Sequence, residues 1–210
     1  MPVIAVLNQK GGSGKTTIST HLARAFQLSG ASVILVDSDT QGSARDWSAA
    51  HQDQPVQVVG IDRPTHERDL KALAKTDWII IDGAPQAKEL AVSALKAADL
   101  VLIPCQPSPY DIWAASDLVD LIKQRIEVTD GRLKAAFVIS RAIGGTKLGS
   151  EVTDALAGYG LPVLLSRIHQ RVSYPTTAAT GQTVFDLPGS GEAAAEFNAL
   201  RAEIEAMLTK

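Results

Sequence analysis

Lys10-Gly11-Gly12-Ser13-Gly14-Lys15-Thr16-Thr17 decides the fold of this chain. An apolar run, Val3-Ile4-Ala5-Val6-Leu7, precedes it, and a helical pattern begins near Thr16. Strand, glycine loop and helix in that order are what a phosphate-binding loop requires. Gly11, Gly12 and Gly14 let the backbone turn tightly and present its N–H groups to phosphate oxygens. The positive end of the following helix adds to the attraction. In this pattern Lys15 reaches the terminal phosphates and the Thr16 hydroxyl ligates Mg²⁺, with Ser13 and Thr17 completing the cradle. A glycine turn beside a surface lysine would explain the glycines, but not the agreement of strand, loop, Lys-Thr pair and helix.

Outward from the loop, apolar runs over 3–8, 32–37, 78–82, 100–104 and 135–139 read as buried strands, with shorter ones at 56–59 and 163–165. Helical patterns over 15–29, 43–50, 66–75, 87–97, 112–126, 148–158 and 191–208 alternate with them. This alternation predicts one α/β domain over 1–210: a doubly wound, mostly parallel twisted sheet flanked by helices, with ligands at the carboxyl ends of the strands. Two strands end there on acids. One ends at Asp37, followed by Ser38-Asp39; the other, Trp78-Ile79-Ile80-Ile81, ends at Asp82. An acid after four apolar residues holds a Mg²⁺-bound water opposite the phosphates. For the first pair a capping role of Asp39 or Thr40 at the next helix is the competing reading. Trp113, Leu118, Leu121 and Ile122 are expected to face inward from 112–126, and Phe197, Leu200, Ile204 and Leu208 from the closing helix. His21 reads as an ordinary surface or packing histidine, and His51 and His66 as surface residues.

Composition narrows the classes. The 210 residues carry a net charge of −3, so any nucleic-acid contact needs a local patch. Arg167 and Arg171 supply one, in a stretch (166–181) that contains no acid. Lys147, after the Gly144-Gly145 break, is a third candidate. The single cysteine, Cys105, excludes an intrachain disulfide and suggests a reducing compartment. No signal-peptide pattern opens the chain, and no apolar run approaches the ~20 residues of a membrane helix. A cytoplasmic protein is expected, with no N-terminal segment for a separate DNA-binding domain.

Lys10 sets the loop apart, because an ordinary nucleotide loop needs no lysine before its first glycine. Lys-Gly-Gly-x-Gly-Lys-Thr-Thr resembles the deviant Walker A motif of the ParA/MinD family of P-loop ATPases. The likeness runs over nearly the whole chain and is nearest to small ParA/ParF-type partition or cargo-positioning members. Asp37-Ser38-Asp39-Thr40-Gln41-Gly42 resembles the family's Asp-x-Asp-Pro-Gln switch, with Thr40 in place of proline. The strand ending at Asp82 resembles Walker B, continuing Gly83-Ala84-Pro85 where x-Pro-Pro is usual. Cys105-Gln106-Pro107-Ser108-Pro109-Tyr110-Asp111 resembles the proline loop these ATPases place beside their dimer interface.

The resemblance implies ATP and Mg²⁺ as cofactors and ATP hydrolysis as the reaction. Lys10 would cross a dimer interface to the partner's nucleotide. Asp39 would position the attacking water, and Asp37 would support the Mg²⁺ shell of Thr16 and Asp82. Arg141 stands where members place a residue, usually Asn, against the adenine. Arg171 matches a position associated with sequence-independent DNA binding. The implied protein forms a homodimer with ATP, binds DNA nonspecifically on the nucleoid, and is switched by a ParB-like or cargo-adaptor partner. Its cargo is a plasmid, a chromosome origin or a protein assembly. Two other readings stay open: a MinD-like membrane regulator, disfavoured by the acid-rich final helix, and a small-molecule synthetase of the dethiobiotin type.

Overall fold

In the computed structural model, which describes residues 1–73, 75–144 and 148–209, each apolar run becomes a strand. They are β1 (Val3–Val6), β2 (Val33–Asp37), β3 (Gln57–Gly60), β4 (Trp78–Asp82), β5 (Leu100–Cys105), β6 (Lys134–Ala142) and β7 (Val163–His169). The strands are all parallel, in the order β3-β2-β4-β1-β5-β6-β7. Parallel strands are covered on both faces, which is why the central runs are apolar without interruption.

Successive side chains point to opposite faces, so the same strands feed two cores. Ile4, Val6, Leu35 and Ile80 pack with α1 (Lys15–Leu28), α2 (Ser43–Ala50) and the last helix, α9 (Gly191–Thr209), on one face. Val3, Ala5, Val36, Ile79 and Ile81 pack on the other face with α4 (Lys88–Ala97), α5 (Pro109–Ala114), α6 (Ser116–Val128) and α7 (Leu148–Ala157). Among the described residues the two remaining helices are short: α3 (His66–Asp69), which a 3₁₀ turn (Leu70–Leu73) follows, and α8 (Ser173–Ala178). Phe197, Leu200 and Ile204 are fully buried as expected, each contributing about 1.5–3 kcal/mol. The chain leaves β1 toward one face, and its neighbours β4 and β5 toward the other. The crevice at the carboxyl end of β1 is therefore the switch point of the sheet, where such folds bind ligands.

Three expectations change. The 112–126 helix is two helices that meet at Ala115, and the first starts early at Pro109, a residue pre-set for the first helical turn. Trp113 consequently faces solvent, 66 % exposed, and meets Tyr110 edge-on at 5.6 Å. His66 is completely buried rather than on the surface, enclosed between β2 and α4. Of the two readings offered for His21, surface or packing, it takes the second: it is buried, stacked on Phe197 with Tyr174 at its edge.

Candidate functional site

The loop after β1 is shaped by its glycines. Gly12 and Gly14 take φ of 73° and 94°, conformations that a side chain disfavours. Gly14 is the N-cap of α1, gives no side-chain cap, and no acid stands in the first turn. The helix thus leaves its first N–H groups uncapped by side chains, which suits an anion. Lys15 is buried and donates to the Lys10 carbonyl at 3.0 Å. Burial holds its ammonium below the ordinary lysine value, while Asp82 and Asp39 oppose the shift. The Ser13 hydroxyl is buried with no partner. A retracted lysine, an orphaned hydroxyl and an uncapped helix end are the donor set a polyphosphate would satisfy.

The two acidic strand ends lie side by side in the sheet, Asp37 opposite Asp82. Asp82 accepts from the Ser19 hydroxyl at 3.1 Å. Burial pushes its carboxyl up to about 7, Asp37 adds to the rise, and the Thr16 and Ser19 hydroxyls and Lys15 oppose it. A divalent cation would reverse that shift, and Thr16 and Asp82 are placed to support one. Among the described residues no cluster of three or more His, Cys, Asp or Glu forms a metal cage. Mg²⁺ needs none, since substrate phosphates and water fill most of its shell. Gly83 follows Asp82 for a packing reason: a Cβ there would sit 2.8 Å from the Val6 carbonyl and 2.5 Å from the Leu7 side chain.

Asp37 is engaged differently. Its Oδ1 accepts from the Asp39 N–H at 3.0 Å, and its Oδ2 accepts from the Arg45 N–H at 2.9 Å. The second bond caps α2 from across the loop, a role that the sequence suggested for Asp39 or Thr40. Arg45 returns to the loop, donating to the Asp39 carbonyl at 2.9 Å. Half-buried Asp39 thus stands on a segment pinned at both ends, close enough to influence Lys15.

Three ties bind residues 8–12 to the end of β5 and the segment that follows it. Asn8 donates to the Pro104 carbonyl at 2.6 Å, and Gln106 donates to the Gly12 carbonyl at 2.8 Å. The Lys10 ammonium pairs with the buried Asp111 carboxylate at 2.5 Å. Sequence reasoning missed Asp111, Arg45 and Gln106. Only the proline loop's position beside the phosphate loop could have pointed to two of them. Cys105 is inert: burial and nearby Asp111 push its thiol up to about 12.

On the far side of the loop, Gly14, Thr17, Ser140, Arg141, Arg171 and Tyr174 line a cavity of about 320 Å³. Arg141 reaches its wall in a left-handed conformation, φ 50°. Arg171 is not the unneutralised cation that the local sequence suggested. It pairs with Glu196 at 2.5 Å and Glu192 at 3.2 Å, acids that α9 brings from more than twenty positions away. Arg167 donates to the Thr153 hydroxyl at 3.1 Å. Lys147 lies outside the described residues.

A strand, a glycine loop, an uncapped helix and a second strand ending in a buried acid define the class: a P-loop nucleotide-binding protein. Residues 4–184 match the family described as CobQ/CobB/MinD/ParA nucleotide binding domain, and the chain belongs to that family. It is 32% identical over 199 residues to Maintenance of carboxysome distribution protein A of Halothiobacillus neapolitanus, covering 92% of this chain and 91% of that protein. The fold matches Cyanothece apo McdA with a TM-score of 0.78 at 17% identity, over 97% of this chain and 99% of that one. It also matches cobyrinic acid a,c-diamide synthase from Mycobacterium smegmatis, solved with an ATP analogue and magnesium, at TM-score 0.75 and 22% identity, over 100% and 96% of the two chains.

Proposed function

We propose that this chain, as one domain, is a ParA-like positioning ATPase that hydrolyses ATP with Mg²⁺ and works as a switchable dimer. The observation that carries the reading is the convergence of Lys15, Thr16, Asp39 and Asp82 on the uncapped end of α1, with a second lysine, Lys10, beside them. Lys15 and the α1 N–H groups hold the phosphates. Mg²⁺, supported by Thr16 and Asp82, neutralises charge developing on the transferred phosphoryl group. Asp39 orients the attacking water, and Asp37 serves by fixing the loop that carries it. Arg141 contacts the base from the cavity beside Gly14.

Lys10 acts across the dimer on the partner's nucleotide. In the single chain it is paired with Asp111, so dimerisation requires that pair to open. The ATP dimer binds DNA without sequence preference and so rests on the nucleoid. Arg167, Arg171 and Lys147 are the proposed phosphate contacts, Arg171 in competition with Glu192 and Glu196. A cargo-bound adaptor then stimulates hydrolysis and release. Likeness to a carboxysome distribution protein favours a protein assembly as cargo over a plasmid or a chromosome origin. A membrane role is disfavoured by α9, whose Phe197, Leu200 and Ile204 are buried on the sheet, with Met207 and Leu208 half-buried beside them, and whose Glu203 is spent on the Leu165 and Ser166 N–H groups. Among the described residues no helix is long and apolar enough to cross a membrane.

The test is binding to random-sequence duplex DNA with ATP, with ADP and without nucleotide, across a salt series. ATP-selective binding that weakens with salt is the expected result. Hydrolysis without DNA binding in any state would remove the nucleoid from the scheme and favour a small-molecule or membrane role.

A further inference from the structure

Ser38 lies between Asp37, the last residue of β2, and Asp39 of the loop that follows, and its hydroxyl is buried. That hydroxyl bonds the Ile61 carbonyl at 3.1 Å and His66 Nε2 at 2.5 Å. On the other side of the ring, His66 Nδ1 meets the Ser93 hydroxyl at 3.0 Å, and the His66 N–H donates to the same oxygen at 3.2 Å. The line Ile61, Ser38, His66, Ser93 therefore joins the end of β3, the loop after β2, α3 and α4.

One proton arrangement satisfies every member. The Ile61 carbonyl only accepts, so the Ser38 hydrogen points to it. Ser38 must then accept from His66, which puts the ring proton on Nε2. Nδ1 is left as an acceptor for the Ser93 hydroxyl, and Ser93 in turn accepts the His66 N–H. Each bond has a defined direction, and a neutral imidazole is the part that supplies both a donor and an acceptor at that span. Burial favours this neutral form.

The line ends at functional parts. The Ser38 N–H donates to the Asp82 carbonyl at 3.0 Å, so Ser38 ties the loop to the end of β4. Six residues after Asp82 the chain enters α4. There Lys88 and Ala91 form one wall of a cavity of about 460 Å³, whose opposite wall is Asp117, Leu118 and Leu121 of α6. Asn8 and Gln9, just before the phosphate loop, also line it. A displacement of α4 at this cavity carries Ser93 with it, and through His66 reaches Ser38.

We propose that His66 is a positioning residue for Asp39: bonded to Ser38 through one ring nitrogen and to Ser93 through the other, it locks residues 37–42 to α4. The water-orienting carboxylate is then held in place when α4 is docked and released when α4 shifts. This rests on the reading of Asp39 as the hydrolytic acid, and it adds a route by which α4 governs turnover.

The experiment compares the full chain with His66→Leu, His66→Gln and Ser93→Ala, measuring single-turnover ATP hydrolysis, affinity for a fluorescent ATP analogue, and amide exchange over 37–45. His66→Leu is expected to slow hydrolysis roughly tenfold while affinity stays within about twofold, and to speed exchange over 37–45. His66→Gln keeps a donor toward Ser38 and recovers part of the rate. Ser93→Ala, a smaller change, gives a loss of about threefold and keeps the test open if His66→Leu does not fold. Unchanged hydrolysis, a parallel fall of rate and affinity, or unchanged exchange over 37–45 overturns the proposal. Exchange also separates the two readings. A wild-type chain that hydrolyses no ATP, yet loses protection over 37–45 in His66→Leu, sinks the ATPase reading and leaves the lock standing.

Discussion

Asp37 and Asp82 are the same residue at the same height of the same sheet, paired in register at the ends of adjacent strands, and both are fully buried. Their surroundings give them opposite work. Asp37 has both oxygens filled by its own loop and by Arg45, so it is a structural anchor. Asp82 has hydroxyl neighbours and the Lys15 ammonium but, among the described residues, no backbone N–H bond to its carboxylate, and burial leaves it costly to ionise without a cation. Position in the fold brought both acids to the crevice. The hydrogen-bond donors around them decide which organises the loop and which is left open to a cation.

The sharpest way to break this comparison is Asp82→Asn. It should lower Mg²⁺-dependent turnover by about 10²–10³-fold, while the nucleotide-free melting temperature stays level or rises, because a buried acid has been removed. A melting temperature that fell instead would make Asp82 an anchor like its neighbour. Asp39→Ala should slow hydrolysis about 10²-fold with ATP binding and dimerisation retained, measured by turnover and light scattering. If ATP binding disappears with it, Asp39 belongs to the cradle rather than to the water.

Asp37→Ala should cost about 3 kcal/mol of stability, since it strands the Asp39 and Arg45 N–H groups and the Arg45 side chain. For a chain of this length that lowers the melting temperature by about 6–12 °C. An acid titration of such variants has to be read against His21. Its folded pKa is about 4, below the ordinary 6.5, because burial opposes its charged form. The unfolded chain therefore binds more protons below pH 6.5, and stability falls as pH drops from 6.5 toward 4. The loss is about 3 kcal/mol over that window. Denaturant melts of wild type and His21→Phe at both pH values would check it, the variant losing much less. The smallest effect belongs to Arg45→Ala, about 1 kcal/mol, with faster amide exchange over 37–42 as the readout.

The phosphate loop, the seven strands and both acidic strand ends were legible in the sequence because each is a local pattern: glycine spacing, apolar runs, an acid after four apolar residues. What escaped reading is non-local. Lys10 and Asp111 are 101 positions apart, Ser38 and His66 are 28 apart, and Arg171 meets Glu196 25 positions on. A histidine in a polar stretch reads as exposed until β2 and α4 are seen to close over it. Arg171, in a stretch without acids, reads as part of a free basic patch until α9 folds back against it. The break at Ala115 was hidden because the apolar spacing continues almost in phase from α5 into α6.

Helix α5 is touched from both sides. Its Asp111 faces inward and holds Lys10, while Tyr110 and Trp113 stand outside, 72 % and 66 % exposed. The chain has three tryptophans, and Trp47 is buried and Trp78 half-buried, stacked on Phe26. An indole in water and an indole under a neighbour differ in emission colour and in access to a dissolved quencher. Trp113 is therefore a native optical gauge two residues from Asp111, and its fluorescence would report, without a label, any opening of the Lys10–Asp111 pair.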